Sequence, residues 1–156
     1  MCDYSLMAIP NRLAQEGEEL VAYRFPTGSL GLADPCEVNP PPRVNKTLWM
    51  RVVEFFNPEP VCAVCIPPGA RLRLEDIPTR LQHEYNVGTS EEVTFTQISA
   101  LANSYRDAVR FSNGCEVRLQ ELREGQRVTV LDLSMAEDLD LVRLREERAE
   151  FAYRPV

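Results

Sequence analysis

The stretch 108–122, AVRFSNGCEVRLQEL, decides the fold class of this chain. Asn113 and Gly114 lie between two segments in which apolar and polar residues alternate. This dipeptide is the strongest short-range signal for a β-hairpin with a type I′ turn. The sequence continues as 122–133, LREGQRVTVLDL, where Gly125 marks a turn before another alternating segment. A hairpin followed directly by a further strand predicts an antiparallel sheet.

The same alternation predicts strands on the N-terminal side of the hairpin. Segments with strand-like spacing or short β-branched runs are 2–9, 20–25, 61–66, 70–77 and 91–98. The segment 26–42 is rich in glycine and proline, which predicts a loop. No alternation of strands with long helices appears, so a parallel Rossmann-type or TIM-type sheet is disfavoured.

Two segments have helical spacing instead. In 43–57, apolar residues recur at the intervals of an amphipathic helix, and prolines bracket the segment on both sides. From Ser134 onward, Ser134 and Glu137 form a capping box that predicts a C-terminal helix. We therefore expect one domain, 1–156, of the mainly-β (α+β) class. Its fold would be an antiparallel barrel or sandwich of about seven short strands, with a short amphipathic helical insert at 43–57 and a C-terminal helix.

Charge and composition exclude several classes of partner. The 156 residues carry a net charge of −7, so the protein is acidic and lacks the basic surplus that nucleic acids or anionic lipids require. No basic, apolar leader and no span of about 18 apolar residues occurs, which predicts a cytoplasmic protein with no membrane partner. The five cysteines are then expected to be mostly reduced. No dinucleotide, phosphate-loop or zinc-protease motif is present, and we expect no cofactor.

Cys2 is the first candidate catalytic residue. If Met1 is removed, its thiol and the free α-amine share one carbon and can act as nucleophile and base. The M-C opening is similar to that of class II glutamine amidotransferases and of SRAP-type proteins that trap abasic DNA, but both continue with glycine where this chain has Asp3. The alternative reading makes Cys2, together with Leu6, part of the inward face of a first strand.

The other candidate ligands and bases are few. Cys62 and Cys65 form a C-x-x-C pair and are candidate metal ligands, but in an extended backbone residues three apart point to opposite faces. His83 is the only histidine, so any histidine-dependent catalysis must use it. The adjacent acids Glu18 and Glu19 are predicted to be solvated surface.

The helical insert is the candidate interaction element. Trp49, Val53, Phe55 and Phe56 supply the aromatic and apolar side chains that anchor protein interfaces. They could equally pack onto the sheet. A partner protein is expected to bind here, and association of identical chains is possible.

The opening MCDYSL (1–6), RFPTG (24–28) and VCIPPGARL (64–72) resemble a family of small bacterial proteins of uncharacterised function. That resemblance implies no activity, cofactor or catalytic residue. The run LQELREGQRVTVLDL (119–133) is similar to the L-x-x-L-x-x-G-x-x-V-x-V turn of small SH3-like β-barrels and implies a fold only.

Two functions follow as hypotheses. The first is a cytosolic, barrel-like interaction or accessory module that binds a protein partner and has no evident catalytic activity. The alternative is an amidohydrolase-like enzyme with Cys2 as its N-terminal nucleophile after removal of Met1. Accessibility of Cys2 distinguishes them.

Overall fold

The computed structural model describes residues 6, 8–40, 60–98 and 105–136. Nine strands lie in these residues: β1 Asn11–Leu13, β2 Glu19–Arg24, β3 Leu30–Ala33, β4 Ala63–Cys65, β5 Arg71–Glu75, β6 Glu91–Gln97, β7 Asp107–Phe111, β8 Glu116–Arg118 and β9 Arg127–Asp132. Two α-helices, α1 Pro35–Val38 and α2 Thr79–Tyr85, and a 3₁₀ turn at Leu119–Glu121 complete the described elements.

Seven of these strands form one antiparallel sheet in the order β3-β2-β9-β5-β6-β7-β8. β1 and β4 form a separate two-stranded sheet, in which they run parallel. The mainly-β prediction is therefore confirmed. The large sheet is not a closed barrel, because β3 and β8 do not pair with each other.

A side chain joins the two ends of the large sheet. The backbone N–H of Leu30 in β3 donates to Oε1 of Gln120, at 2.9 Å, and Nε2 of Gln120 donates to the carbonyl of Leu30, at 2.7 Å. Gln120 lies in the 3₁₀ turn that follows β8. The Gln120 amide thus pairs with the backbone of Leu30 as a neighbouring strand would. Leu30 is 1% exposed.

The hairpin at β7 and β8 forms as predicted, but its turn type was predicted wrongly. The N–H of Phe111 donates to the carbonyl of Cys115, and the N–H of Gly114 donates to the carbonyl of Phe111, each at 2.9 Å. Gly114 has φ of +85°, whereas Asn113 is not among the residues with positive φ. The loop is therefore a three-residue turn with a left-handed glycine. Asn113 instead donates its side-chain amide to the carbonyl of Tyr85 at the end of α2, at 2.8 Å.

The prediction of a loop at 26–42 was wrong in part. Leu30–Ala33 is wholly buried and pairs with β2, and α1 follows it with Asp34 as its N-cap. The segment is rich in glycine and proline, but Leu30, Leu32 and Ala33 are buried at one edge of the sheet. Tertiary burial therefore overrides the local turn signal.

Two buried clusters meet at β4. The main cluster lies under the large sheet and includes Val64, Leu72 and Phe95. The second, which we call the N-terminal cluster, consists of five residues from four separate parts of the described chain: Leu6, Phe25, Ala33, Ala63 and Cys65. Side chains alternate along a strand, so β4 contributes Val64 to one cluster and its two neighbours to the other.

Leu6 is buried, but the predicted strand over 2–9 is wrong at its described residues. The N–H of Ile9 donates to the carbonyl of Leu6 at 3.0 Å, which makes a turn. Leu6 packs where Gly31 leaves room: a Cβ on Gly31 would lie 2.6 Å from Cδ1 of Leu6 and 3.0 Å from Cε2 of Phe25. The burial of Leu6 thus comes from packing and needs no strand pairing.

The predicted insert at 43–57 and the body of the predicted C-terminal helix lie outside the described residues. Of the helices that the structure describes, none has the length and apolar character needed to cross a membrane.

Replacing Gln120 tests the junction between β3 and β8. Gln120→Ala should lower the free energy of unfolding by about 1–2 kcal/mol, because it leaves two backbone groups of Leu30 without partners. Urea denaturation followed by circular dichroism measures this change. Gln15→Ala, which truncates an exposed glutamine, is the matched control and should change the stability by less than about 0.5 kcal/mol. Equal effects of the two substitutions would contradict the role given to Gln120.

Candidate functional site

A recess in the described residues lies beside β1, at the turn into β2. It has a volume of about 450 Å³. We call it the Arg12 recess; its lining residues are Arg12, Gln15, Glu16, Gly17, Glu18 and Asp34. Every lining residue apart from Gly17 has a polar or charged side chain, so the recess is suited to charged groups and not to an apolar ligand.

Arg12 holds two carboxylates together in this recess. Its guanidinium donates to both oxygens of Glu18, with Nη1 lying 3.1 Å from Oε2. Nη2 also lies 3.8 Å from Oδ2 of Asp34. The side chain of Glu18 is 15% exposed, and that of Arg12 is 34% exposed. The hydrogen bonds from Arg12 lower the pKa of the Glu18 carboxyl, although its partial burial opposes this change.

The turn before β2 places Glu18 in this position. The N–H of Gln15 donates to Oε2 of Glu18 at 3.0 Å, and Gly17 provides a φ of +78°. Backbone hydrogen bonds join this turn to β9: the N–H of Gly17 donates to the carbonyl of Val130 at 2.8 Å, and the N–H of Val130 donates to the carbonyl of Glu18 at 2.9 Å. The main sheet therefore fixes the backbone of Glu18, while Arg12 and the N–H of Gln15 hold its carboxylate.

The helix α1 extends the charged region towards β4. Asp34 caps α1 by accepting a hydrogen bond from the N–H of Cys36 at 2.7 Å. Glu37 accepts from the N–H of Cys62 at 2.7 Å. Burial raises the pKa of the Cys62 thiol, and the nearby Glu37 raises it further, while Arg12 opposes both effects. The thiol of Cys62 is thus protonated at neutral pH and is a poor nucleophile.

These contacts determine what the recess can do chemically. Glu18 is engaged by Arg12, and its lowered pKa makes it a weak base at neutral pH. Glu16 accepts a hydrogen bond from the N–H of Leu133 at 2.9 Å. Three acids and one arginine line the recess, so it carries an excess of negative charge. The arrangement favours binding of a cationic group over proton transfer or nucleophilic attack.

The two cysteines of the C-x-x-C pair have different environments, and only Cys65 lies within β4. Cys65 points into the N-terminal cluster and is disulfide-bonded, whereas Cys62 is a free, half-buried thiol. Within the described residues, no group of three histidine, cysteine or acidic side chains is placed to hold a metal ion.

The remaining predicted site residues are apart from the recess or outside the described residues. His83 is exposed on α2, between Arg80 and Glu84, which pair with each other at 3.1 Å. Cys2, Trp49, Val53, Phe55 and Phe56 lie outside the described residues, so their proposed roles stay predictions.

Sequence reasoning missed the recess. Glu18 was expected to be solvated surface, and this is wrong: it is largely buried by Arg12 and by the turn from Gln15. The local signals were present, since Gly17 marks a turn and Asp34 precedes a proline at the start of a helix. Nothing in the sequence indicated that Arg12, on another strand, would reach both acids.

Removing the arginine tests its effect on Glu18. In the folded protein the pKa of Glu18 is lowered from its ordinary value of 4.5. The stabilisation is therefore present above about pH 4.5 and is lost as the pH falls through the lower folded-state pKa. Arg12→Met should raise the pKa of Glu18 and reduce the loss of stability between about pH 5 and pH 3. Carboxyl ¹³C NMR titration measures the first effect, and denaturant midpoints measure the second.

Arg80→Met is the control for that experiment. It removes an exposed ion pair on α2 and should leave the titration of Glu18 unchanged. If Glu18 titrates at the same pH in the wild-type protein and in Arg12→Met, the hydrogen bonds from Arg12 do not set its pKa.

Comparison with known proteins assigns no role to these residues. No protein-family model matches the chain, and searches of curated proteins and of solved structures give no match either. The resemblances to the small bacterial family and to SH3-like barrels stay predictions. The function has to be inferred from the chain's own geometry.

Proposed function

We propose that this protein is an interaction module that binds an extended segment of a partner protein along β1. The proposal rests on the pairing of β1. Among the described strands it pairs only with β4, and Leu13 in β1 is 62% exposed. An edge strand with an exposed apolar residue is a template for an added strand.

The hydrogen bonds of β1 identify its free edge. The N–H of Ala63 donates to the carbonyl of Pro10 at 2.8 Å, and the N–H of Ala14 donates to the carbonyl of Cys65 at 3.0 Å. Backbone groups of successive residues point to alternate edges of a strand, so those of Asn11 and Leu13 point away from β4. The carbonyl of Leu13 already accepts a hydrogen bond from Nη1 of Arg12 at 3.3 Å, and a partner strand would pair with the remaining groups of this edge.

The two faces of β1 differ in chemistry. Side chains alternate, so Leu13 is on one face and Arg12, with Glu18, is on the other. A partner strand would place apolar side chains beside Leu13 and basic side chains beside the acidic Arg12 recess. The partner segment is therefore expected to alternate apolar and basic residues along its length.

The predicted helix at 43–57 supports the same function from the sequence. Trp49, Val53, Phe55 and Phe56 are expected to provide a second contact with a protein partner. A partner that contacts both β1 and this helix would bind more tightly than one that contacts a single segment. Such binding requires no catalytic activity.

Synthetic peptides test the β1 proposal. A peptide of eight residues that alternates valine and arginine should bind the full-length protein, and one that alternates valine and glutamate should not. Fluorescence anisotropy of labelled peptides gives the dissociation constants. Leu13→Asp should weaken binding of the valine–arginine peptide about tenfold, because it removes the apolar contact.

Tyr105→Asp is the matched control, since Tyr105 is also exposed, at 44%, but precedes β7. It should leave the affinity unchanged. Binding of neither peptide, equal binding of both, or equal loss in the two variants would contradict strand addition at β1.

A further inference from the structure

The Asn-Gly pair at the tip of the β7–β8 hairpin is chemically labile. It occurs once in the sequence, at Asn113 and Gly114, and both residues are exposed. Because glycine has no side chain to shield its backbone nitrogen, this nitrogen can attack the amide carbon (Cγ) of the preceding asparagine. Asparagine is for this reason among the thermolabile residues of proteins. The hairpin thus carries a site where spontaneous deamidation can occur.

In the folded protein, hydrogen bonds hold the groups that would react. Nδ2 of Asn113 donates to the carbonyl of Tyr85 at 2.8 Å, and Oδ1 of Asn113 accepts from the N–H of Cys115 at 3.0 Å. The N–H of Gly114 donates to the carbonyl of Phe111 at 2.9 Å. For attack on Cγ, the Gly114 nitrogen must lose its proton and the Asn113 amide must turn towards it. Both movements break these bonds, so the native hairpin opposes the reaction.

Contacts of α2 keep the Asn113 amide in place. Tyr85 is the last residue of α2, and its carbonyl lies in the helical turn whose carbonyls lack partners within the helix. The ring of Tyr85 stacks on that of Phe111 in β7, with centroids 6.2 Å apart. The Tyr85 hydroxyl donates to Oε2 of Glu121 at 3.2 Å, in the 3₁₀ turn after β8. Opening of the Asn113 contact therefore requires α2 to separate from the hairpin.

We propose that Asn113 is a modification site whose deamidation is blocked in the folded protein and permitted when the hairpin separates from α2. The modified residue then records that this part of the fold has opened. The proposal is independent of partner binding along β1, because it uses the opposite end of the large sheet.

Water is the only co-reactant of this modification. The Gly114 nitrogen loses its proton and forms a bond to Cγ of Asn113, while the bond from Cγ to Nδ2 breaks and ammonia leaves. The product is a five-membered succinimide ring. Water then adds to one of the two ring carbonyls, which gives aspartate or isoaspartate. In total one water is consumed and one ammonia is released, and no group is oxidised or reduced.

Both products weaken the contact between the hairpin and α2. The carboxylate of aspartate cannot donate a hydrogen bond to the Tyr85 carbonyl, which is left without this partner. It also places a negative charge beside the C-terminal end of α2, where the helix dipole is negative. Isoaspartate adds a methylene group to the backbone and disrupts the three-residue turn. We therefore expect the modified protein to be less stable than the unmodified one.

Peptide mapping tests the protection. The full-length protein is incubated at mildly alkaline pH, either folded or unfolded in guanidinium chloride, and is then digested with trypsin. Cleavage after Arg110 and Arg118 releases the peptide 111–118. Mass spectrometry measures its deamidation, and chromatography separates its aspartate and isoaspartate forms. Deamidation should be at least about tenfold slower in the folded protein, because it requires local opening. Equal rates in the two states, or no reaction in the unfolded chain, would overturn the proposal.

Tyr85→Leu tests whether α2 provides the protection. It removes the ring stacking and the bond to Glu121 but keeps the backbone carbonyl, and circular dichroism establishes that the variant is folded. The deamidation rate of this folded variant should rise about fivefold, since the aromatic pair is lost. Tyr105→Leu changes an exposed tyrosine outside this contact and should keep the wild-type rate. An unchanged rate in Tyr85→Leu, or an equal rise in both variants, would overturn the role given to α2.

Asn113→Asp reproduces one product and tests its effect on the fold. The melting temperature should fall by about 5 °C, because the Tyr85 carbonyl loses its donor. Ser112→Asp adds the same charge at the neighbouring exposed residue and is the matched control. It should change the melting temperature by less than about 2 °C. Equal shifts in the two variants would show that charge alone matters and would overturn the role given to the Asn113 amide.

Discussion

The alternation of side chains along β4 is the constraint on which the rest of this structure depends. Three residues, Ala63–Cys65, separate two buried clusters, and Val64 faces the larger one. The same strand is the only described partner of β1, so it also positions Arg12. A shift of register by one residue would exchange the faces of β4 and would move apolar and thiol groups to the wrong clusters. Burial on both faces therefore specifies the register strongly.

The charged region beside β1 is organised by contacts within the chain. Arg12 joins Glu18 and Asp34, which come from a turn and from a helix cap. These groups are held before any partner arrives, so a binding partner would not need to order them first. The remaining excess of negative charge gives the surface a preference for cations. Glu18 is held by Arg12 with a lowered pKa, so it is a weak base at neutral pH.

The edge of β1 that is proposed for partner binding is distinct from the N-terminal cluster. Strand addition would use the outer edge of β1, whereas the disulfide of Cys65 belongs to the N-terminal cluster. Leu6 belongs to the same cluster as Cys65 and packs over Gly31.

Much of the β-structure could be predicted because its signals are local. Alternation located the strands around Asn113 and Gly114. Local rules failed where packing decided the outcome. Leu30–Ala33 has the composition of a loop but is a buried edge strand, and Leu6 is buried in a turn, not in a strand.

The sequence by itself determined the mainly-β class, the acidic charge and the location of most strands, since each depends on residues that are neighbours along the chain. Only the tertiary structure decided that Gln120 would join the ends of the sheet and that Arg12 would join Glu18 to Asp34. It also decided that Cys65, and not Cys62, would be oxidised. The reason is physical: these contacts join residues that are distant in sequence or face different clusters, and their geometry exists only after the sheet has formed.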